Sequence, residues 1–127
     1  MTPGAVMPTL LAIAVGAVLG AWGRWGLALW LNRAGQSVPG GTLLANLIGG
    51  LLIGMALAAF ERRPEWAAAW RPFFVTGFLG ALTTFSTFSA ESLQLIQRGA
   101  MLQSLLHSAL HLFGSLLAAA LGWRLIR

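Results

Sequence analysis

The chain has 127 residues, of which 57% are hydrophobic and only 9% charged, whereas globular proteins average roughly half apolar and a quarter charged. That surplus of apolar side chains excludes a soluble domain and requires lipid as its solvent. The formal charge of +5 comes from eight Arg against Glu61, Glu65 and Glu91. These Arg lie mostly at the ends of apolar runs, which excludes a phosphate-binding groove for nucleic acid, and the absence of cysteine excludes disulfides and thiolate chemistry.

Four runs reach the roughly 20 residues that a hydrocarbon core demands of a helix. The first is predicted over about 5–30. No positive segment precedes it, its first charge being Arg24, so a helix of the mature protein is expected instead of a cleaved signal. A turn-rich loop follows from Asn32 to Gly41, and the second span is predicted over about 42–60. The polar segment from Glu61 to Trp66 contains Pro64 and reads as the second loop. The third and fourth spans are predicted over about 72–96 and 99–124. The expectation is an all-α membrane protein in which residues 1–127 form one domain of four transmembrane helices. Four spans place both termini on one side, with Arg62, Arg63, Arg71, Arg124 and Arg127, against Arg33 and Arg98 opposite and Arg24 near that end. The count leans toward termini inside.

The third span is unlike the others. It carries Gly77 and Gly80, then Thr83-Thr84-Phe85-Ser86-Thr87-Phe88-Ser89, a crowd of hydroxyl and aromatic side chains in mid-membrane. Freed backbone groups in a membrane helix must be satisfied by side chains or an ion and must face protein or water. We therefore expect this helix to be broken near its middle, with an unwound turn at Gly80 to Thr83. Small-xxx-small pairs such as Gly16 with Gly20 and Gly50 with Gly54 predict close helix packing, within a subunit or between subunits.

No catalytic set is present, because a nucleophile and base need an acidic orienter and no acid lies in the uncharged apolar runs, the third of which covers 72–90 and is followed by Glu91. His107 and His111 stand at i,i+4 and share a helix face that could bind metal. Glu91 falls at the predicted end of its helix, so a third ligand is missing and a polar-lined interior face is the favoured reading. Asn46 is the lone amide of the second span. It either hydrogen-bonds another helix or offers its NH2 to an anion passing through the bundle. Phe85 and Phe88 stand at i,i+3 on one face, where the positive edges of the rings would attract an anion. Donors without a fixed cation suit conduction, since a fixed cation would trap the anion.

The run from Gly77 through Thr83-Thr84-Phe85-Ser86-Thr87-Phe88 to Glu91 closely resembles the signature of the Fluc (CrcB) fluoride channels. Gly41 to Gly50, around Asn46, and Gly20 to Trp25, around Arg24, resemble that family's second-helix and first-helix motifs. The resemblance covers essentially the whole chain. It implies an antiparallel, dual-topology homodimer with two fluoride pores in a bacterial inner membrane, passively exporting cytoplasmic fluoride. It further implies Phe85 and Phe88 as the pore phenylalanines and Asn46 as the pore asparagine. Thr42, Thr84, Thr87 and Ser115 take polar-track positions, Arg24 lies at the vestibule, and Glu91 is the acid closing the third-helix motif. The backbone carbonyls of Gly80 and Thr83 would hold a structural sodium ion between the subunits.

His107 and His111 depart from the aromatic or hydroxyl residues that line the pore in similar members. Their ordinary pKa of about 6.5 makes acid-sensitive flux an expectation. Two other readings compete. A small four-helix multidrug exporter would need a membrane-embedded carboxylate, and none lies in the first span. A non-transporting assembly subunit would have little reason to bury so many hydroxyls around a break. No residues support an enzyme.

Overall fold

The computed structural model describes residues 3–127. Those residues are all helical apart from short joints, and four stretches are long and apolar enough to cross a membrane: Gly4–Leu31, Gly40–Arg62, Pro64–Gln97 and Met101–Ile126. In chain order the helices are α1 (Pro3–Leu31), α2 (Gly40–Arg62), α3 (Pro64–Trp70), a π-helical segment (Arg71–Leu79), α4 (Gly80–Leu82), α5 (Phe85–Gln97) and α6 (Met101–Ile126).

The boundaries differ from the sequence reading most around Pro64. The segment from Glu61 to Trp66 is not a loop: α2 runs to Arg62 and α3 begins at Pro64, with Arg63 alone as the joint. Proline is tolerated there because the first residue of a helix has no use for its N–H. Downstream, the Gly80 amide reaches back to Val75 O as well as Gly77 O, the wide spacing of a π turn. Nothing in the residue pattern announces it.

Between α4 and α5 the backbone leaves the helical region. Thr83 (φ −85°, ψ 156°) and Thr84 (φ −151°, ψ 119°) are extended, whereas Gly80 is helical (φ −60°, ψ −33°). The irregular pair is therefore Thr83–Thr84 and does not begin at Gly80. Thr84 then caps α5, its Oγ1 accepting from the Thr87 amide at 3.1 Å.

Helix packing rests on small residues. The buried residues of α2 are Gly41, Thr42, Ala45, Gly49, Gly54, Ala56 and Ala58, and its main neighbour is α6. Gly54 lies against the backbone of Ala119, and Gly122 against that of Leu51, so neither has room for a Cβ. On the other side of the bundle Gly16 and Gly20 of α1 meet the Phe73 and Phe78 carbonyls in the same way. Both small-xxx-small pairs thus make contacts within the chain. The core between these seams is Ala45, Leu79 and Leu82, with Leu27, Ile48, Leu52, Phe74 and Phe78 around it. Large apolar side chains such as Trp22, Trp25, Leu29, Trp30, Leu106 and Phe113 point outward, the expected partition when the solvent is lipid.

A three-residue joint connects α5 to α6. Gly99 has φ +75°, its amide bonds Ile96 O, and the Ala100 amide bonds Leu95 O, both at 2.9 Å. This is the Schellman pattern, which needs a left-handed residue at that point. The tight reversal lays the start of α6 against α5, where Ser104 Oγ donates to Ser92 O at 3.2 Å.

Candidate functional site

The polar residues of α2, α5 and α6 converge on the Thr83–Thr84 joint. Asn46 binds Thr84 twice: the Thr84 amide donates to Asn46 Oδ1 at 2.8 Å, and Asn46 Nδ2 donates to Thr84 O at 3.1 Å. An amide N–H can only donate, so this pair fixes which way the Asn46 side chain faces. Its second Nδ2 hydrogen then reaches His111 Nδ1 at 3.0 Å, and that ring nitrogen is the acceptor. Of the two readings of Asn46, this arrangement displays the hydrogen bond to another helix: both hydrogens are committed, one to Thr84 and one to His111. Asn46 thus holds the extended backbone in place.

That clamp has a consequence for two carbonyls. In an unbroken helix the Thr84 amide would close on Gly80 O and the Thr87 amide on Thr83 O. Here the first goes to Asn46 and the second to Thr84 Oγ1. Thr83 turns its own hydroxyl inward onto Leu79 O at 2.8 Å, and its methyl packs on Gly49.

The sequence reading placed Glu91 at a helix end, and this is corrected: α5 continues to Gln97, and Glu91 lies in its interior. The uncharged run ends at Ala90, yet α5 stays helical through Glu91 and the polar residues up to Gln97. Thr42, on α2, donates to Glu91 Oε1 at 2.6 Å. The other oxygen, Oε2, stands 3.4 Å from His107 Nε2, with the two side chains 13% and 0% exposed. The third potential metal ligand judged missing is thus present. One ligand atom each from Glu91, His107 and His111 lie within 4.8 Å of one another, and His107 and His111 both face inward on the buried stripe of α6 that begins at Ser104.

Phe88 packs over both imidazoles, its ring centroid 5.4 Å from that of His107 and 4.9 Å from that of His111. Phe85 touches Phe88 at 5.3 Å between centroids but is itself 80% exposed on the surface of the chain. The pair is therefore split between a half-buried ring, Phe88, and an exposed one, Phe85. Ser115, one turn beyond His111, is half-buried, and its backbone packs against Gly50.

Arg24 and the threonines meet in a second space. A cavity of about 240 Å3 is lined by Arg24, Trp25, Asn32, Thr42, Thr84 and Thr87 together with small residues of α1. Arg24 Nε donates to Ala81 O at 3.0 Å, which fixes the guanidinium beside the joint. Thr84 Oγ1 donates to Thr87 Oγ1 at 3.0 Å. Thr42 connects the two spaces, since it lines the cavity and holds Glu91. A polar line therefore runs from Arg24 through Thr87, Thr84 and Thr42 to Glu91 and the two histidines, inside helices apolar enough to span a membrane.

The family model described as CrcB-like protein, Camphor Resistance (CrcB), matches residues 11–123. The chain belongs to the CrcB-like family. Among its relatives, a fluoride-specific ion channel FluC of Pseudomonas putida (strain W619) is 55% identical over 117 residues, covering 92% of each chain. Another of that name from Aromatoleum aromaticum is 50% identical over 123 residues, 97% of this chain and 94% of the relative. A third, from Bordetella petrii, is 52% identical over 122 residues, 96% and 94% respectively. In this CrcB-like chain each family-resembling motif contributes a residue to the joint or the polar line: Arg24 bonds Ala81 O, Asn46 clamps Thr84, and Glu91 accepts from Thr42.

Proposed function

We propose that the protein is a fluoride-selective ion channel of the bacterial inner membrane, passively releasing fluoride from the cytoplasm, and not an enzyme. The observation that carries this reading is similarity along nearly the whole chain to relatives named fluoride-specific ion channels. The polar line agrees with it. Hydroxyl donors can replace part of an anion's hydration while leaving it free to move on, and Thr42, Thr84 and Thr87 supply them beside the Arg24 guanidinium. Phe88, against the imidazoles, and Phe85, on the surface, would present ring edges to the anion. Glu91 does supply the membrane-embedded carboxylate that a proton-coupled exporter would need, but the family similarity favours the channel.

Passage would involve a second copy of the chain. Phe85, 80% exposed, and the irregular Thr83–Thr84 backbone call for a covering of protein or water, and an antiparallel homodimer with two pores would provide it. The third span is then a discontinuous helix whose joint faces the partner. A sodium ion fits the same place: the Gly80 and Thr83 carbonyls have lost their helical donors to Asn46 and Thr84, and freed carbonyl oxygens are the ligands hard cations take. Gly80 and Thr83 would hold that ion, which would supply positive charge at the joint. Dual insertion is tested separately, by tagging each terminus and measuring its accessibility from either side of the membrane.

The test of function is fluoride efflux from liposomes holding the purified protein, read with a fluoride electrode, with chloride efflux and a Phe85→Ile variant alongside. Rapid fluoride release without chloride release, lost in the variant, is the expected result. Well-folded protein that releases no fluoride would overturn the reading.

A further inference from the structure

Three side chains near the line of polar residues are underused. Glu91 Oε2, His111 Nε2 and both ring nitrogens of His107 are buried without a hydrogen-bond partner among the described residues, and His107 is fully buried. Leaving such groups unmet costs about 1–3 kcal/mol each, so the cluster asks for a ligand that Glu91 Oε2 and one nitrogen of each imidazole can share. A water could serve one or two of them. A dication can take one atom from each of the three side chains, because a carboxylate oxygen and neutral imidazole nitrogens are its ligands and the carboxylate offsets part of its charge at membrane depth.

We infer that Glu91, His107 and His111 form a binding site for a first-row transition-metal dication of the Zn2+ class, and that its occupancy stops fluoride passage. The second clause rests on the channel reading above; the first does not. Two ligands about 2.1 Å from a tetrahedral metal stand about 3.4 Å apart, and Glu91 Oε2 and His107 Nε2 are separated by 3.4 Å. Those two give up no existing hydrogen bond on binding. The remaining ligand lies within 4.8 Å of both, a gap that the His111 imidazole would have to turn to close.

His111 is the conditional ligand. Its Nδ1 accepts from Asn46, so the proton of the neutral ring is on Nε2. To ligate, the ring either moves that proton to Nδ1, facing the Asn46 donor, or releases Asn46 and binds through Nδ1. Either way the metal disturbs the amide that clamps Thr84. Block therefore has two sources. A three-ligand site leaves a coordination position open in which fluoride would be trapped, and the clamp on the Thr83–Thr84 joint is loosened. Thr42, already bonded to Glu91 Oε1, orients the carboxylate as an outer-shell partner.

The experiment uses tag-free full-length protein. Zn2+ binding is measured by titration calorimetry in detergent and Co2+ uptake by its visible absorption, for wild type, His107→Gln, His111→Gln and Glu91→Gln. Fluoride efflux from liposomes is then followed with and without Zn2+. The expected result is one ion per chain, a visible spectrum of a four-coordinate Co2+ site, and loss of wild-type flux on adding Zn2+. Outer-shell partners alone are worth 10–100-fold in metal affinity, so removing His107 or Glu91 should weaken binding by more than about 100-fold, and removing His111 by less. Wild type that conducts fluoride but binds no Zn2+ overturns the metal site while leaving the channel standing. Binding of undiminished affinity in all three variants overturns it also, and binding that leaves flux unchanged overturns the block. Protein that binds Zn2+ with the expected variant pattern but never conducts fluoride supports the site and overturns the channel reading instead.

Discussion

The two halves of this bundle are held by opposite chemistries. Where α2 meets α6 beyond Ser115, and where α1 meets the π-helical segment, the contacts are glycine against carbonyl: Gly54 on Ala119, Gly122 on Leu51, Gly16 on Phe73. Where α2 meets α5 and the first half of α6, they are side-chain hydrogen bonds: Thr42 to Glu91, Asn46 to Thr84 and His111. In lipid there is no hydrophobic force to bring helices together, so association rests on close van der Waals packing and interhelical hydrogen bonds. The glycine seams supply rigidity without chemistry, and they free the other half to carry polar groups that an ordinary core would exclude.

The largest expected effect breaks the seam. Gly54→Leu puts a side chain into the backbone of Ala119 and Trp123, where no rotamer change can make room. Overpacking a core usually costs 1–3 kcal/mol, and a collision with main chain should exceed about 3 kcal/mol. We expect no monodisperse protein in size-exclusion chromatography. A well-behaved, conducting Gly54→Leu variant would show that the seam is not what holds α2 to α6.

Next comes the clamp. Asn46→Leu removes both partners of the Thr84 backbone and one of His111, leaving the Thr84 N–H and C=O unmet. At about 1–3 kcal/mol for each orphaned group, the loss should be about 2–6 kcal/mol, read as a lower thermal midpoint in detergent. Fluoride efflux should fall with it. Asn46→Asp keeps the acceptor for the Thr84 amide but not the donor for Thr84 O, and should fall between. Equal stability of Asn46→Leu and wild type would mean that Thr83–Thr84 stays extended without help.

How much of this was legible in the sequence follows the same division. The four spans were readable because length and apolarity are properties of a single segment, and the glycine pairs because i,i+4 spacing is local. What could not be read was which distant residue answers which. Asn46 and Thr84 are 38 positions apart, and Thr42 and Glu91 are 49 apart. Glu91 looked like the end of a helix because an acid inside a span is costly unless paired, and its partner sits on another helix. The Pro64 joint was misread for a related reason: proline is a breaker inside a helix but acceptable at its first position, and only the structure says where that position is. The candidate site was named residue by residue from motif resemblance, yet the roles of Asn46 as clamp and Glu91 as partner of the histidines needed the packing.

A smaller effect tests one bond inside the polar half. Thr42→Val keeps the shape of the side chain and removes the donor to Glu91 Oε1. Hydrogen bonds to charged groups contribute about 1.5–3 kcal/mol, and the carboxylate would then have neither oxygen bonded among the described residues. Thr42→Ser restores the hydroxyl and should restore most of both stability and flux. Should Ser and Val behave alike, the threonine would matter for its methyl, and the polar half would be packed in the same way as the seams.

The smallest effect separates fold from site. Gly99 sits at the turn that lays α6 along α5, has φ +75°, and has nothing within 4 Å of where a Cβ would stand. Gly99→Ala therefore meets no clash, and its cost is the left-handed conformation alone, about 1 kcal/mol. The thermal midpoint should drop slightly. Flux should persist, because Glu91 and the histidine face of α6 are also positioned by bonds that do not pass through the turn: Thr42 holds the carboxylate from α2, Asn46 holds His111, and Ser104 reaches Ser92 across α5 and α6. Loss of flux with stability intact would mean that the joint, and not those three bonds, sets the distance between α5 and α6 at the polar line.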